Sequence, residues 1–137
     1  MIKLTLQALP ASLWQRHHVR LAVQFGSTIR DRATALSDVD IGVWFTSDGD
    51  FQNRALALTN DIMQTLHENR VDIVALNHAS PLLRWEVART GRVLYEAAHA
   101  TFHQFQLDAF KRHEDAQRLS AWNRRYVHQR LEAWAHG

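Results

Sequence analysis

The first two-thirds of the chain switches between two hydrophobic periods. Residues 11–17 read as a short helix, and Val19-Arg20-Leu21-Ala22-Val23-Gln24-Phe25 as a strand that stops abruptly at Gly26-Ser27. After a polar stretch, residues 38–45 alternate strictly. Val39, Ile41, Val43 and Phe45 fall on one face of a strand, with Asp38, Asp40 and Gly42 on the other. Phe51, Ala55, Leu58, Ile62 and Leu66 then recur at three- and four-residue steps, an amphipathic helix that Asp48 or Asp50 can cap. Residues 70–75 return to period two, with Val71, Ile73 and Ala75 on one face and Asp72 on the other.

Ser80-Pro81 reads as an N-cap followed by proline at the first helical position, and Gly91 as the residue that closes this helix. Arg92 to Tyr95 can form a short last strand. From Thr101 to Trp134 the pattern is helical, with Leu119, Trp122, Tyr126 and Trp134 on or near one stripe and Lys or Arg between them. The alternation predicts an α/β (α+β) fold: a small mixed sheet flanked by helices, followed by a long C-terminal helical tail. No repeat or linker divides the chain, and the tail reads as an extension, residues 98–137, of a unit spanning residues 1–97.

Composition narrows the class. At 137 residues, with 46% apolar and 22% charged residues and only 5 Gly and 2 Pro, the chain has the makings of one globular core, not a collagen-like or disordered segment. No apolar run approaches the roughly 18–20 residues of a membrane span, and Thr5, Gln7 and Pro10 interrupt a would-be signal core. The absence of cysteine fits a reducing compartment, so the cytoplasm is the expected location. The formal charge of +2 suits an anionic partner without defining one.

The chemistry concentrates in Gly26-Ser27, ten residues, then Asp38-x-Asp40. Residues two apart in a strand lie roughly 6.5 Å apart on one face, so both carboxylates reach the same small volume and need a cation there. Oxygen-only ligands select a hard ion, and Mg²⁺ characteristically takes one or two carboxylates together with substrate phosphates. Gly26 lets backbone approach a phosphate, Ser27 can donate to it, and Arg30 and Arg32 can add charge-assisted bonds. Asp72 completes the set if its strand pairs beside that of Asp38 and Asp40. A third carboxylate can share the metal and help deprotonate an attacking hydroxyl. A nucleoside triphosphate is the implied substrate, attacked at its α-phosphate with loss of pyrophosphate.

The segment FGSTIRDRATALSDVDIGVWF, with VDIVAL further on, resembles the minimal nucleotidyltransferases of the DNA polymerase beta superfamily, and among them the MntA-type antitoxins encoded beside HEPN-domain toxins. Gly26, Ser27, Asp38 and Asp40 match that family's motif, Ser37 its usual serine before the first aspartate, Arg30 a frequent loop arginine, and Asp72 a third acidic position. Asp31 stands where the family often has glycine. The resemblance covers residues 18–96. It implies a nucleotidyltransferase fold with Asp38, Asp40 and Asp72 as catalytic and metal-holding residues and Gly26, Ser27, Arg30 and Ser37 binding nucleotide. It further implies transfer of AMP from ATP to a tyrosine of a HEPN ribonuclease toxin. The alternatives are a non-catalytic antitoxin acting by contact and a nucleotidyltransferase for a small-molecule hydroxyl.

Other features carry less. His99 and His103 are four apart on the expected tail helix, but no third ligand or HExxH pattern accompanies them. His17, His18, His67 and His78 read as element-boundary residues. The aromatic and basic residues of the tail invite direct nucleic-acid binding, but their helical spacing favours a core or partner interface.

Overall fold

The computed structural model describes residues 6–26, 38–46 and 49–136. Ser27, Arg30, Asp31, Arg32, Ser37 and Asp48, all invoked above, lie outside these. The elements follow the predicted order: α1 (Ala11–Arg16), β1 (Val19–Phe25), β2 (Val39–Phe45), α2 (Phe51–Leu66), β3 (Val71–Ala75), a 3-10 turn (Leu76–His78), α3 (Pro81–Thr90), β4 (Arg92–Glu96) and α4 (Thr101–His136). The strands form one mixed sheet in the order β3-β2-β1-β4. β2 pairs in parallel with β3, and β1 pairs antiparallel with both β2 and β4.

Each sheet face has its own core. Val39, Ile41, Val43 and Phe45 pack with Leu13 and Trp14 of α1 and with Phe51, Leu58 and Ile62 of α2. Leu21 and Val23 pack on the other face with Leu76, Val87 and Ala88 and with Phe105 and Ala109 from the start of α4. Strict alternation would put Val19 with Leu21, yet Val19 and Ala22 share the first core. A register shift between Val19 and Leu21 turns the strand in between.

The helix boundaries have local causes. Asp50 caps α2 by accepting from the Asn53 amide at 3.1 Å, and His67 ends the helix in the left-handed conformation (φ 52°). Ser80 caps α3 by accepting from the Leu83 amide at 3.2 Å, one residue ahead of Pro81. Gly91 does follow the last residue of α3, with its amide bonded to the Val87 carbonyl, but its backbone is extended (φ −75°). A Cβ there would run into Val23 Cγ1 and the Val87 carbonyl oxygen. Glycine is therefore required by the approach of helix to sheet and not by a left-handed turn. His99 also departs from expectation: α4 begins at Thr101, so His99 lies in the preceding turn and not on the helix of His103.

Arg84 is buried in the second layer. It donates through Nη1 to the Leu76 carbonyl (3.0 Å) and through Nη2 to Asp108 Oδ2 (3.1 Å), which Arg112 also reaches at 2.8 Å. Burial, and then Arg112, hold the Arg84 guanidinium below its ordinary value, partly offset by Asp108. The pair ties the 3-10 turn and α3 to α4. No helix among the described residues is long and apolar enough to cross a membrane.

Candidate functional site

The strand directions gather the acidic residues at one end of the sheet. Because β2 and β3 are parallel, the starts of both strands lie together, and Asp40 stands in register with Asp72. Because β1 is antiparallel to β2, its C-terminal end arrives at the same place, with Phe25 opposite Asp40. Gly26, the next residue, has φ +88°, and a Cβ on it would lie 2.5 Å from Asp40 Oδ2. Only glycine both adopts this conformation without strain and leaves that space free. Asp38 precedes β2 and is exposed, Asp40 is half-buried, and Asp72 is exposed. On the same sheet face Gly42 lies under the Leu76 side chain. The carboxylates thus stand at the margin of a packed layer.

Electrostatics single out Asp40. Burial first, then the charge of Asp72, then that of Asp38, push its carboxyl above the usual carboxylate range. The charges of Asp72 and Asp38 acting on the partly desolvated Asp40 make a negative field of the kind a divalent cation relieves. Among the described residues no three His, Asp or Glu side chains converge closely enough to hold a metal on protein ligands alone. The oxygen-only donors fit Mg²⁺, which keeps several waters and completes its shell with substrate phosphates. The space that Gly26 leaves beside Asp40 Oδ2 suits such a shared shell.

Gly26, Asp38, Asp40 and Asp72 are therefore brought together, whereas Ser27, Arg30 and Ser37 fall outside the described residues. One neighbour was not anticipated. Arg70 accepts the Val39 amide on its own carbonyl at 2.7 Å, and its guanidinium is paired with Glu68 at 3.0 Å. Glu68 chiefly, and Asp38 last, raise the Arg70 pKa, so a fixed cation adjoins the acidic cluster. Its position immediately before β3 is the sequence signal that could have found it. A shallow groove of about 480 Å³ between α2 and edge strand β3 has Asp72 in its wall, with Asn53, Leu56 and Ile73.

Known proteins resemble this chain in fold and in sequence. A crystal structure of a toxin-antitoxin with AMP-PNP superposes with a TM-score of 0.67 at 22% identity, covering 88% of this chain and 94% of that one. A structure of the tri-AMPylated Shewanella oneidensis HEPN toxin in complex with MNT antitoxin gives a TM-score of 0.64 at 21% identity, covering 96% and 99%. These likenesses establish a common fold. In sequence, the chain is 28% identical over 126 residues to the protein adenylyltransferase MntA of Aphanizomenon flos-aquae, covering 85% of this chain and 83% of the relative. Residues 8–100, well over half of the chain, match the model of the polymerase beta nucleotidyltransferase family, and to that family the chain belongs.

Proposed function

We propose that this chain is a Mg²⁺-dependent protein adenylyltransferase that transfers AMP from ATP to a tyrosine of a HEPN-domain toxin and so acts as a cytoplasmic antitoxin. The observation that carries the reading is the register of Asp40 with Asp72, with Gly26 against Asp40 and Asp38 two residues upstream. Adenylyl transfer to a protein is supported by the name of the MntA relative, and a HEPN partner by the complexes that share the fold.

Each residue has a distinct task. Gly26 opens the space in which phosphate oxygens approach Asp40, and Ser27, Arg30 and Ser37 of the same motif bind the triphosphate. Asp38, Asp40 and Asp72 would hold the Mg²⁺, which when bound polarises the α-phosphate and neutralises charge on the leaving group. Asp72, exposed on the edge strand, accepts the proton of the incoming hydroxyl. The hydroxyl oxygen forms its bond to the α-phosphorus, the bond to the bridging oxygen breaks, and pyrophosphate leaves with that electron pair. Residues 1–97 supply this machinery, and residues 98–137 extend it.

The test is label transfer. ATP labelled at the α-phosphate, but not at the γ-phosphate, should mark a HEPN-domain partner, whose mass should rise by whole AMP units. Asp38→Asn or Asp40→Asn should abolish the marking. A partner that stays unmodified with wild-type protein and Mg·ATP overturns the reading. The exposed apolar face of α4 favours a second reading, inhibition by contact alone. Under it, the Asp38→Asn/Asp40→Asn double variant would still protect cells from the toxin.

A further inference from the structure

The long helix α4 is built in two halves that share one face. In its first half Phe105 and Ala109 are fully buried against the sheet layer. At 100° per residue the same face continues through Ala116, Leu119, Val127, Leu131 and Trp134, beyond the body of the protein. There its large side chains are exposed, Trp134 at 84%. A shallow groove of about 560 Å³ runs along it, lined by Leu119, Asn123, Val127 and Leu131. At the edge of this face Trp122 and Tyr126 are stacked at 5.4 Å, with Arg130 placed 5.8 Å from the Tyr126 ring centre. Trp, Tyr and Arg are the residue types that dominate binding hot spots.

Charge chooses among the possible occupants. Between residues 116 and 136 there are four arginines (Arg118, Arg124, Arg125 and Arg130) and one acid, Glu132, and Glu132 is paired with His128 at 3.0 Å. A second copy packed on this face would set arginine against arginine, which is unfavourable. An apolar helical surface flanked by carboxylates would complement it in both respects.

We propose that residues 116–135 form the docking helix for the protein that carries the acceptor hydroxyl, and that the matching surface is an apolar helix face with acidic flanks. The identity of that protein rests on the reading given above. The half-buried helix then serves as a lever: its first turns are anchored in the core, and its remainder holds the target while the carboxylates at the sheet end act on it.

The test compares full-length variants for affinity toward the purified HEPN-domain toxin by calorimetry at fixed salt. Leu119→Glu/Val127→Glu and, separately, Arg124→Glu/Arg130→Glu should each weaken binding by about tenfold or more. Both should keep wild-type helicity and the wild-type thermal shift with Mg·ATP, since none of these side chains is in a core. Asp38→Asn/Asp40→Asn should bind the toxin as wild type does. Loss of toxin binding in the tail variants without any AMP transfer by the wild type would support docking while removing the enzymatic reading. Wild-type affinity in both tail variants, or no binding of the toxin by the wild type, overturns the proposal. So does a tail-dependent dimer in sedimentation, or tail-dependent, salt-sensitive retention of RNA.

Discussion

Asp40 and Asp72 face each other in register across the parallel β2–β3 pair, two carboxylates on adjacent strands whose backbones run about 4.8 Å apart. The fold tolerates this repulsion because Asp72 and Asp38 are exposed to water, while Asp40, half-buried, bears its consequence as a raised pKa. Such a position is costly to the free protein, a cost that the cation of the proposed function would offset.

Asp40→Asn should therefore stabilise the metal-free protein while abolishing nucleotidyl transfer. The sign follows from linkage. A carboxyl whose folded pKa lies above its unfolded value contributes stability below the unfolded pKa, and that stability is lost as pH rises through the folded pKa. Melting curves in EDTA should show the variant gaining on the wild type across the carboxylate range and staying ahead at neutral pH. Added Mg²⁺ should raise the wild-type melting temperature, and the variant's little or not at all. Parallel curves at all pH values would contradict the role given to Asp40.

Gly26→Ala should be damaging twice over. Its φ of +88° is strained for any residue with a Cβ, and that Cβ would meet Asp40 Oδ2 at 2.5 Å. The backbone term costs about 1–2 kcal/mol, and the carboxylate must also turn away. Urea denaturation should show the loss of stability, and a Mg²⁺ titration followed by melting temperature should show weakened metal binding. In Gly26→Ala/Asp40→Ala the obstructing oxygen is absent, so the alanine at 26 should cost less in that background. Equal costs in both backgrounds would show that the approach to Asp40 is not what requires glycine.

The order and kind of elements were legible because most carry a clean period, and the nearness of Asp38 to Asp40 because a D-x-D at the start of a strand keeps its two carboxylates close together. That Asp72 joins them depends on β3 pairing in parallel beside β2, a fact of topology. Other features have no local signature. The shift that brings Val19 and Ala22 to one core depends on the partner strand. Arg84 looks like a surface residue of an amphipathic helix until α4 is laid over it, and its partner Asp108 is twenty-four residues away. Gly91 reads as a helix terminator and does end α3, but the bar to a side chain there comes from Val23 on β1 as well as from the Val87 carbonyl of its own helix.

Gly91→Ala should accordingly destabilise by overpacking. Its φ of −75° suits alanine, so the cost, about 1–3 kcal/mol, comes from Val23 Cγ1 and the Val87 carbonyl. Val23→Ala in the same chain should recover part of it, since the side-chain clash is removed and the backbone one remains. A double-mutant cycle on denaturation free energies reads the coupling directly. Strict additivity would mean that the helix shifts as a body and Val23 is not the obstacle.

Asp61 offers the opposite pH dependence to Asp40. It accepts from Arg16 at 3.0 Å and lies 2.8 Å from His17 Nε2, fastening the end of α1 to α2. The hydrogen bond with His17 and the charge of Arg16 outweigh desolvation and lower its pKa. The stability it contributes is thus present above the unfolded carboxylate pKa and lost as pH falls through the lower, folded one. Because the group is partly exposed, Asp61→Asn should cost at most about 1 kcal/mol at neutral pH. The gap between variant and wild type should close on acidification through and below the ordinary carboxylate range, where the Asp40→Asn gap closes as well but from the other side. Added salt should shrink the Asp61 difference at neutral pH, since its partner Arg16 is an exposed charge. An Asp61→Asn deficit that persisted unchanged in acid would assign it to packing and not to the ion pair.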